Sequence, residues 1–380
     1  MIEYINRSGT SCYKWDSEES RGLLPLWVAD MDFKVAQPIM DALQRRLNPG
    51  VFGYQYVPQA YYDAVSNWFA RRHNWKGITR ENIICTTGVV SAISSILRAM
   101  TKPEDGVVIH TPAYNCFFSC LTNLECRLLE NPLIVNNEHF EINWQQFEKQ
   151  MSRAKIFLLC NPHNPTGRVW THEELKRMAA ICEQNKVFVI ADEIHCEFTF
   201  PNISYTPYAT VAKTTNFCVC TSPSKAFNTA GLHCANIIVP DADIYQRIDH
   251  AVNIHEVGEL NPFGVEALIA AYNECEAWLD ELQQVIHDNY CYLRDFMQVR
   301  LPQLKVSQSE GTFLAWVNVK ALKMTSEELC QHLANEEKVL FNPAEMYGGK
   351  DYIRINIATS RENLTDALQR LQHFVNSQTY

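Results

Sequence analysis

The run Val187–Ala191 is almost wholly apolar and is followed at once by the acidic pair Asp192-Glu193. Five residues without polar alternation suit burial on both faces, the state of a central strand in a mainly parallel sheet. A carboxylate at the end of such a strand is either a helix cap or a paired charge, because an isolated buried charge is expensive. The same pattern recurs from about residue 82. Glu81–Thr87, Gly106–His110, Cys126–Leu129, Lys155–Cys160, Asn216–Cys220 and Ala235–Val239 read as short strands separated by amphipathic helices. One helix sets Ile93, Ile96 and Leu97 on a single face, and Thr171-His-Glu-Glu174 is a capping box that opens another. Alternation of this kind predicts an α/β fold with a mostly parallel, mixed sheet.

The pattern changes after Asn261-Pro262. Val265 to about Val299 predicts one long helical stretch. It is followed by strand Thr312–Val319, helix Glu327–Asn335, strand Tyr352–Ala358 and helix Arg361–Phe374. Thr325-Ser-Glu-Glu328 is a second capping box. A chain of 380 residues accommodates two domains. We place a large domain at 45–275 and a smaller α+β domain built from 1–44 and 276–380.

With 33 basic and 43 acidic residues the net charge is −10, which argues against nucleic-acid or anionic-membrane partners. The first twenty residues include Glu3, Arg7, Lys14, Asp16, Glu18 and Glu19, so they hold no apolar signal core. No apolar run reaches membrane-spanning length. The 14 cysteines are scattered, in apolar contexts such as Phe217-Cys-Val-Cys220. Reduced, buried thiols and a cytoplasmic location are therefore expected. Cys116 and Cys120 have the spacing of a metal pair without a second pair, so no metal site is expected.

Four polar residues stand beside the predicted strands: Asn164 in Asn161-Pro-His-Asn-Pro-Thr-Gly167, Asp192, Lys225 in Ser222-Pro-Ser-Lys225, and Arg354 in Tyr352-Ile-Arg-Ile-Asn356. A lysine in a partly desolvated pocket has a lowered pKa and can form a Schiff base. Asp192 suits a protonated ring nitrogen; Glu193 competes, but strand alternation points it to the opposite face. Asn164 is either an Asx-turn residue or a donor to a phenolic oxygen. Arg354 is either a surface ion-pair residue or a bidentate clamp for an α-carboxylate. Thr86-Thr-Gly88-Val-Val-Ser91 turns a strand into a helix, whose N-terminus favours a phosphate dianion. Ser222 and Ser224 are turn formers or further phosphate donors. Tyr114 is a core residue or stacks on a ring, and His195 is structural or touches a cofactor. A phenolate partner, a ring-nitrogen partner, an amine and a carboxylate clamp together match pyridoxal 5′-phosphate (PLP), which serves amino-acid enzymes as an electron sink.

These motifs resemble fold-type-I PLP enzymes, the aspartate aminotransferase superfamily, over nearly the whole chain. Leu26-Trp-Val-Ala-Asp-Met-Asp-Phe33, Phe52-Gly-Tyr54, Asn161–Gly167, Asp192-Glu-Ile-His195 and Ser222–Leu232 more narrowly resemble the MalY/PatB group of cystathionine β-lyases. The resemblance implies a PLP-dependent transferase-like fold, with Lys225 as the Schiff-base lysine, Asp192 at the pyridine nitrogen and Asn164 at the phenolic oxygen. Tyr114 would stack on the ring, and the Val89 and Val90 amides with Ser222 would hold the phosphate. Arg354 would take the substrate carboxylate, while Ala29 and Asp30 would lie in an N-terminal substrate loop. It also implies a homodimer with active sites at the interface, where Tyr54 reaches the neighbouring phosphate.

Departures from the family pattern are His233, where aminotransferases usually carry a phosphate-binding arginine, and His195, where aspartate aminotransferase has tyrosine. Asn342-Pro-Ala-Glu-Met-Tyr-Gly348 also lacks the first glycine of the lyases' Pro-Gly-x-x-Phe-Gly form, and Asn115 follows Tyr114 where many have Pro or Tyr. The implied reaction is β-elimination of cystathionine or a related cysteine S-conjugate to a thiol, pyruvate and ammonia. An aminotransferase shares the early steps and is the nearest rival. A PLP-binding regulatory module without activity is the third reading, and the intact lysine counts against it.

Overall fold

The computed structural model describes residues 2–254 and 259–378. Seven strands form one sheet in the order Ile83–Thr86, Ala235–Ile238, Phe217–Thr221, Phe188–Asp192, Ile156–Cys160, Gly106–Thr111 and Arg127–Pro132. Ala235–Ile238 runs antiparallel to both neighbours, and the remaining pairings are parallel. The run expected to be buried on both faces is the middle strand of this sheet, and every residue from Phe188 to Asp192 is buried.

Alternation divides each strand between two layers. Phe188 and Ile190 pack with helix Val89–Met100, whereas Val189 and Ala191 face the opposite layer, with helices Gln59–Arg72, His172–Gln184 and Pro262–Glu274. Ile93, Ile96 and Leu97 are fully buried on the expected helix face. Each such side chain contributes about 1.5–3 kcal/mol of hydrophobic stabilisation. Both capping boxes form, at Thr171 and Thr325.

A second, antiparallel sheet has the order Lys305–Val306, Leu314–Asn318, Tyr352–Asn356 and Asn342–Pro343. Its register sets Arg354 between Trp316 and Asn342. The N-terminal strand Leu24–Pro25 pairs with Val339–Leu340 and so brings residues 26–33 close to this sheet.

The long helical stretch differs from expectation. It is two helices, Pro262–Glu274 and Glu276–Arg300, interrupted at Cys275 with φ −112° and ψ 18°. No proline or glycine marks the break; Cys275 is buried there, and its thiol donates to Ala270 O at 3.5 Å. Helix Ser326–His332 is also shorter than expected. It widens into a π-turn over Leu333–Glu337 and stops at Lys338, whose φ is +57°.

A buried ionic group ties the layers together just past the central strand. Glu197 accepts from Trp68 Nε1 at 2.7 Å and Arg72 Nε at 2.8 Å, with His73 Nε2 at 2.8 Å. Arg72 also reaches Glu276 and Asp280 on the long helix. Burial pushes the Glu197 carboxyl up, but His73, Arg72 and Trp68 outweigh it and hold the group at about 2. Glu197→Ala should therefore lose about 3 kcal/mol of stability in urea unfolding at pH 7, since it strands buried partners. Because the folded value lies below the ordinary 4.5, this contribution is complete above that pH and disappears as pH falls through about 2. A variant as stable as the wild type at pH 7 would contradict this assignment.

Candidate active site

A cavity of about 150 Å³ opens at the carboxyl ends of the parallel strands. Strands Gly106–Thr111 and Ile156–Cys160 are adjacent, and the chain leaves them in opposite directions across the sheet, to Arg127–Pro132 on one side and to Phe188–Asp192 on the other, which makes their carboxyl ends a topological switch point. Ala29, Val89, Val90, Tyr114, Asn164, Asp192, His195, Ser224 and Lys225 line it, together with Cys160 and Ile194.

Asp192 shares the strand parity of Phe188 and Ile190 and so turns toward helix Val89–Met100. Its Oδ1 accepts from Ile194 N at 3.1 Å. Burial pushes its carboxyl up to about 7, against the Ile194 N–H and the charge of Lys225. Glu193 has the opposite parity and is occupied elsewhere. It accepts from Asn161 Nδ2 at 3.0 Å, from Tyr208 N at 2.8 Å and from the Tyr205 hydroxyl.

Lys225 lies on the short helix Pro223–Ala226, which Ser222 caps by accepting from Ser224 N at 3.0 Å. Ser222 in turn donates to Cys234 O at 2.7 Å. The Lys225 amine donates to Ala29 O at 2.6 Å. Burial lowers its pKa, Asp30 opposes that effect, and the Arg354 cation adds to it.

Arg354 is 3% exposed, which rules out a surface ion pair. It donates to Asn164 Oδ1 at 3.2 Å and to Trp27 O at 2.8 Å. Its guanidinium stands 4.7 Å from the centre of the Tyr347 ring. The Tyr347 hydroxyl accepts from Asn342 Nδ2 at 2.8 Å, and that amide also donates to Trp27 O. Trp27, Asn342 and Tyr347 were not among the site residues expected from sequence. The only local signal for two of them was the unusual loop Asn342–Gly348.

His195 is buried and pushed down to about 3, first by burial and then by Lys225 and Arg354, so it is neutral at physiological pH. Tyr114 precedes helix Asn115–Asn123 and meets Phe117 edge-on at 5.7 Å; burial raises its hydroxyl pKa. A neighbouring depression of about 450 Å³ gathers Gly88, Val89, Val90, Ser222, Ser224 and His233, where the N-terminus of helix Val89–Met100 offers unpaired amides.

Four expected residues stand outside the cavity lining: Ser222 borders the neighbouring depression, Arg354 meets the site through Asn164, and Asp30 and Tyr54 turn elsewhere. Asp30 points to Arg7, with Nη1 2.7 Å from its carboxylate, and Tyr54 is 100% exposed. Among the described residues His73, Cys196 and Glu197 bring possible metal-ligand atoms within 4.8 Å of one another, but Glu197 is already satisfied by Trp68, Arg72 and His73.

The donor set fits PLP. Asp192 is a buried acid that calls for a cation, and His195 Nδ1 and Arg354 Nε are buried without hydrogen-bond partners among the described residues. The amine and the helix N-terminus complete the complement of groups that an aldehyde and a phosphate need.

Comparison with known proteins points to the same cofactor. The model of the family "aminotransferase class I and II" matches residues 22–371. Cystathionine beta-lyase PatB from Bacillus subtilis is 35% identical over 378 residues, covering 96% of this chain and 97% of PatB. Protein MalY from Escherichia coli is 32% identical, covering 95% and 94%. The PLP-bound crystal structure of a candidate aminotransferase from Clostridium difficile matches with a TM-score of 0.96 at 37% identity, covering 98% of this chain and 99% of that one. The chain thus belongs to the aminotransferase class I and II family of PLP-dependent, fold-type-I proteins, and within it to the group of PatB and MalY.

Proposed function

We propose that this chain is a PLP-dependent C–S lyase. It converts cystathionine or a related cysteine S-conjugate, with water, to a thiol, pyruvate and ammonia. The observation that carries this reading is the convergence of Lys225, Asp192, Asn164 and Arg354 on one site, in a chain that matches PatB along almost its whole length.

When bound, PLP supplies an electron sink for the substrate's α-carbon. Lys225 would anchor it through its amine, and the same amine is the group placed to take the α-proton and return a proton to the departing sulfur. Positioned proton transfer of this kind contributes on the order of 10²–10⁴-fold. The lowered pKa of Lys225 favours the neutral amine that this step needs. Asp192 keeps the proton on the ring nitrogen. Arg354 occupies Asn164 Oδ1, which leaves the Asn164 amide N–H groups to donate to the phenolic oxygen. Tyr114 would pack on the ring, His195 would meet it as a neutral imidazole, and Val89, Val90, Ser222 and Ser224 would hold the phosphate. Arg354 takes the substrate carboxylate beside Ala29 and Asp30.

The same reading includes a cytoplasmic homodimer with active sites at the interface. Val51, Phe52, Tyr54 and Tyr56 form an exposed apolar segment, which supports Tyr54 reaching a neighbouring phosphate. The cysteines are free and mostly buried, in keeping with a reducing compartment. Among the described residues no helix is long and apolar enough to cross a membrane. The division into a large domain at 45–275 and a small one from 1–44 and 276–380 is proposed on the two separate sheets.

Purified protein given L-cystathionine should release pyruvate without any added 2-oxo acid. Amino transfer that requires such an acceptor, with no pyruvate in its absence, would instead establish an aminotransferase. Arg354→Lys should raise KM roughly tenfold or more with a smaller change in kcat, because the planar two-point grip on the carboxylate is lost. An unchanged KM would remove Arg354 from that role.

A further inference from the structure

Every backbone carbonyl from Leu26 to Phe33 accepts a hydrogen bond, mostly from side chains distant in sequence. Trp27 O takes Arg354 and Asn342, at 2.8 and 3.0 Å. Asn356 Nδ2 donates to Val28 O at 2.6 Å and to Asp30 O at 2.7 Å. Asn228 Nδ2 donates to Met31 O at 3.1 Å and to Phe33 O at 2.7 Å. Leu26 O and Asp32 O accept from the backbone amides of Asn356 and Ile5. Ala29 O, in the middle, accepts from the Lys225 amine at 2.6 Å.

Beneath this segment lies an ion pair between Lys14 Nζ and Asp32 Oδ2 at 2.7 Å, with both side chains wholly buried. Trp15 Nε1 donates to the second Asp32 oxygen at 2.9 Å. A pair this deep adds little net stability, yet breaking it is costly, so Asp32 is held in place. The gripping residues belong to elements already at the site. Asn356 is two residues beyond Arg354 on one strand and shares its face. Asn228 follows Lys225 by three residues and has a left-handed φ of +55°.

We infer that residues 26–33 form a fixed strap, and that Asn356 and Asn228 are positioning residues holding the Ala29 carbonyl where it receives the Lys225 amine whenever that amine is not bonded to the cofactor. This rests on the reading of Lys225 as the proton-transfer base. The strap sets where the released amine points. A displacement of about 1 Å in such geometry can cost on the order of 10²-fold in rate. The charged and titratable groups around the amine are Asp30, Arg354, Asp192, Cys116 and His195. A carbonyl acceptor favours the ammonium over the free amine, so moving it away lowers the amine's pKa.

Two uncharged variants of the PLP-loaded protein test this. Asn356→Leu removes two donations at similar volume. Asn228→Gly removes two others and tolerates the left-handed backbone. With L-cystathionine, kcat should fall roughly tenfold or more in each, the acidic limb of its pH profile should move to lower pH, and in the cofactor-free protein the pH midpoint for reductive methylation of the Lys225 amine should move to lower pH as well. If Asn356→Leu does not fold, Asn228→Gly decides. A folded variant with wild-type kcat and an unmoved pH profile overturns the inference, whatever happens to its melting temperature. Wild-type protein that forms no pyruvate would defeat the functional reading instead.

Discussion

A carboxylate buried at the end of a strand that has no solvent-facing side needs a positive partner, and Asp192 is that carboxylate. Burial raises its pKa to about 7 and lowers that of Lys225 in the same cavity. One desolvated space thus penalises the charge on both groups, so Asp192 gains from a cation beside it and Lys225 is favoured as the neutral amine. Arg354 and His195 carry buried nitrogens without hydrogen-bond partners among the described residues. These polar groups are costly to bury unless a ligand meets them, which is what the proposed cofactor and substrate would do.

The sheet explains why these particular residues meet. Strand parity sends Asp192 toward helix Val89–Met100 and Glu193 to the other layer, where Asn161, Tyr205 and Tyr208 absorb it. Tyr114, Asn164, Asp192 and Lys225 each lie at or just past the carboxyl end of a parallel strand. Rigid elements therefore set their spacing, as precise catalytic geometry requires. Arg354 arrives from the second sheet, and residues 26–33 lie between the two, gripped by Arg354 and Asn356 from one side and by Asn228 from the other.

Much of this was legible in the chain because burial and strand ends leave local marks. All-apolar runs located the central strands, the capping boxes located two helix starts, and polar residues just beyond the runs pointed to the site. The break at Cys275 left no such mark, since neither proline nor glycine signals it and tertiary packing decides it. Trp27 and Asn356 were illegible for another reason, and Asn342 was marked only by its unusual loop. Trp27 offers only its carbonyl, and the two asparagines act on backbone carbonyls more than 300 positions away. Tyr54 and Asp30 came from family likeness alone, and neither lines the cavity of the single chain.

The central claim is that one buried amine, that of Lys225, carries the cofactor. Borohydride reduction of the PLP-loaded protein, followed by digestion and mass spectrometry, tests it directly. The account predicts a pyridoxyl mass on the peptide containing Lys225. The label on a different lysine, or on none, would contradict it.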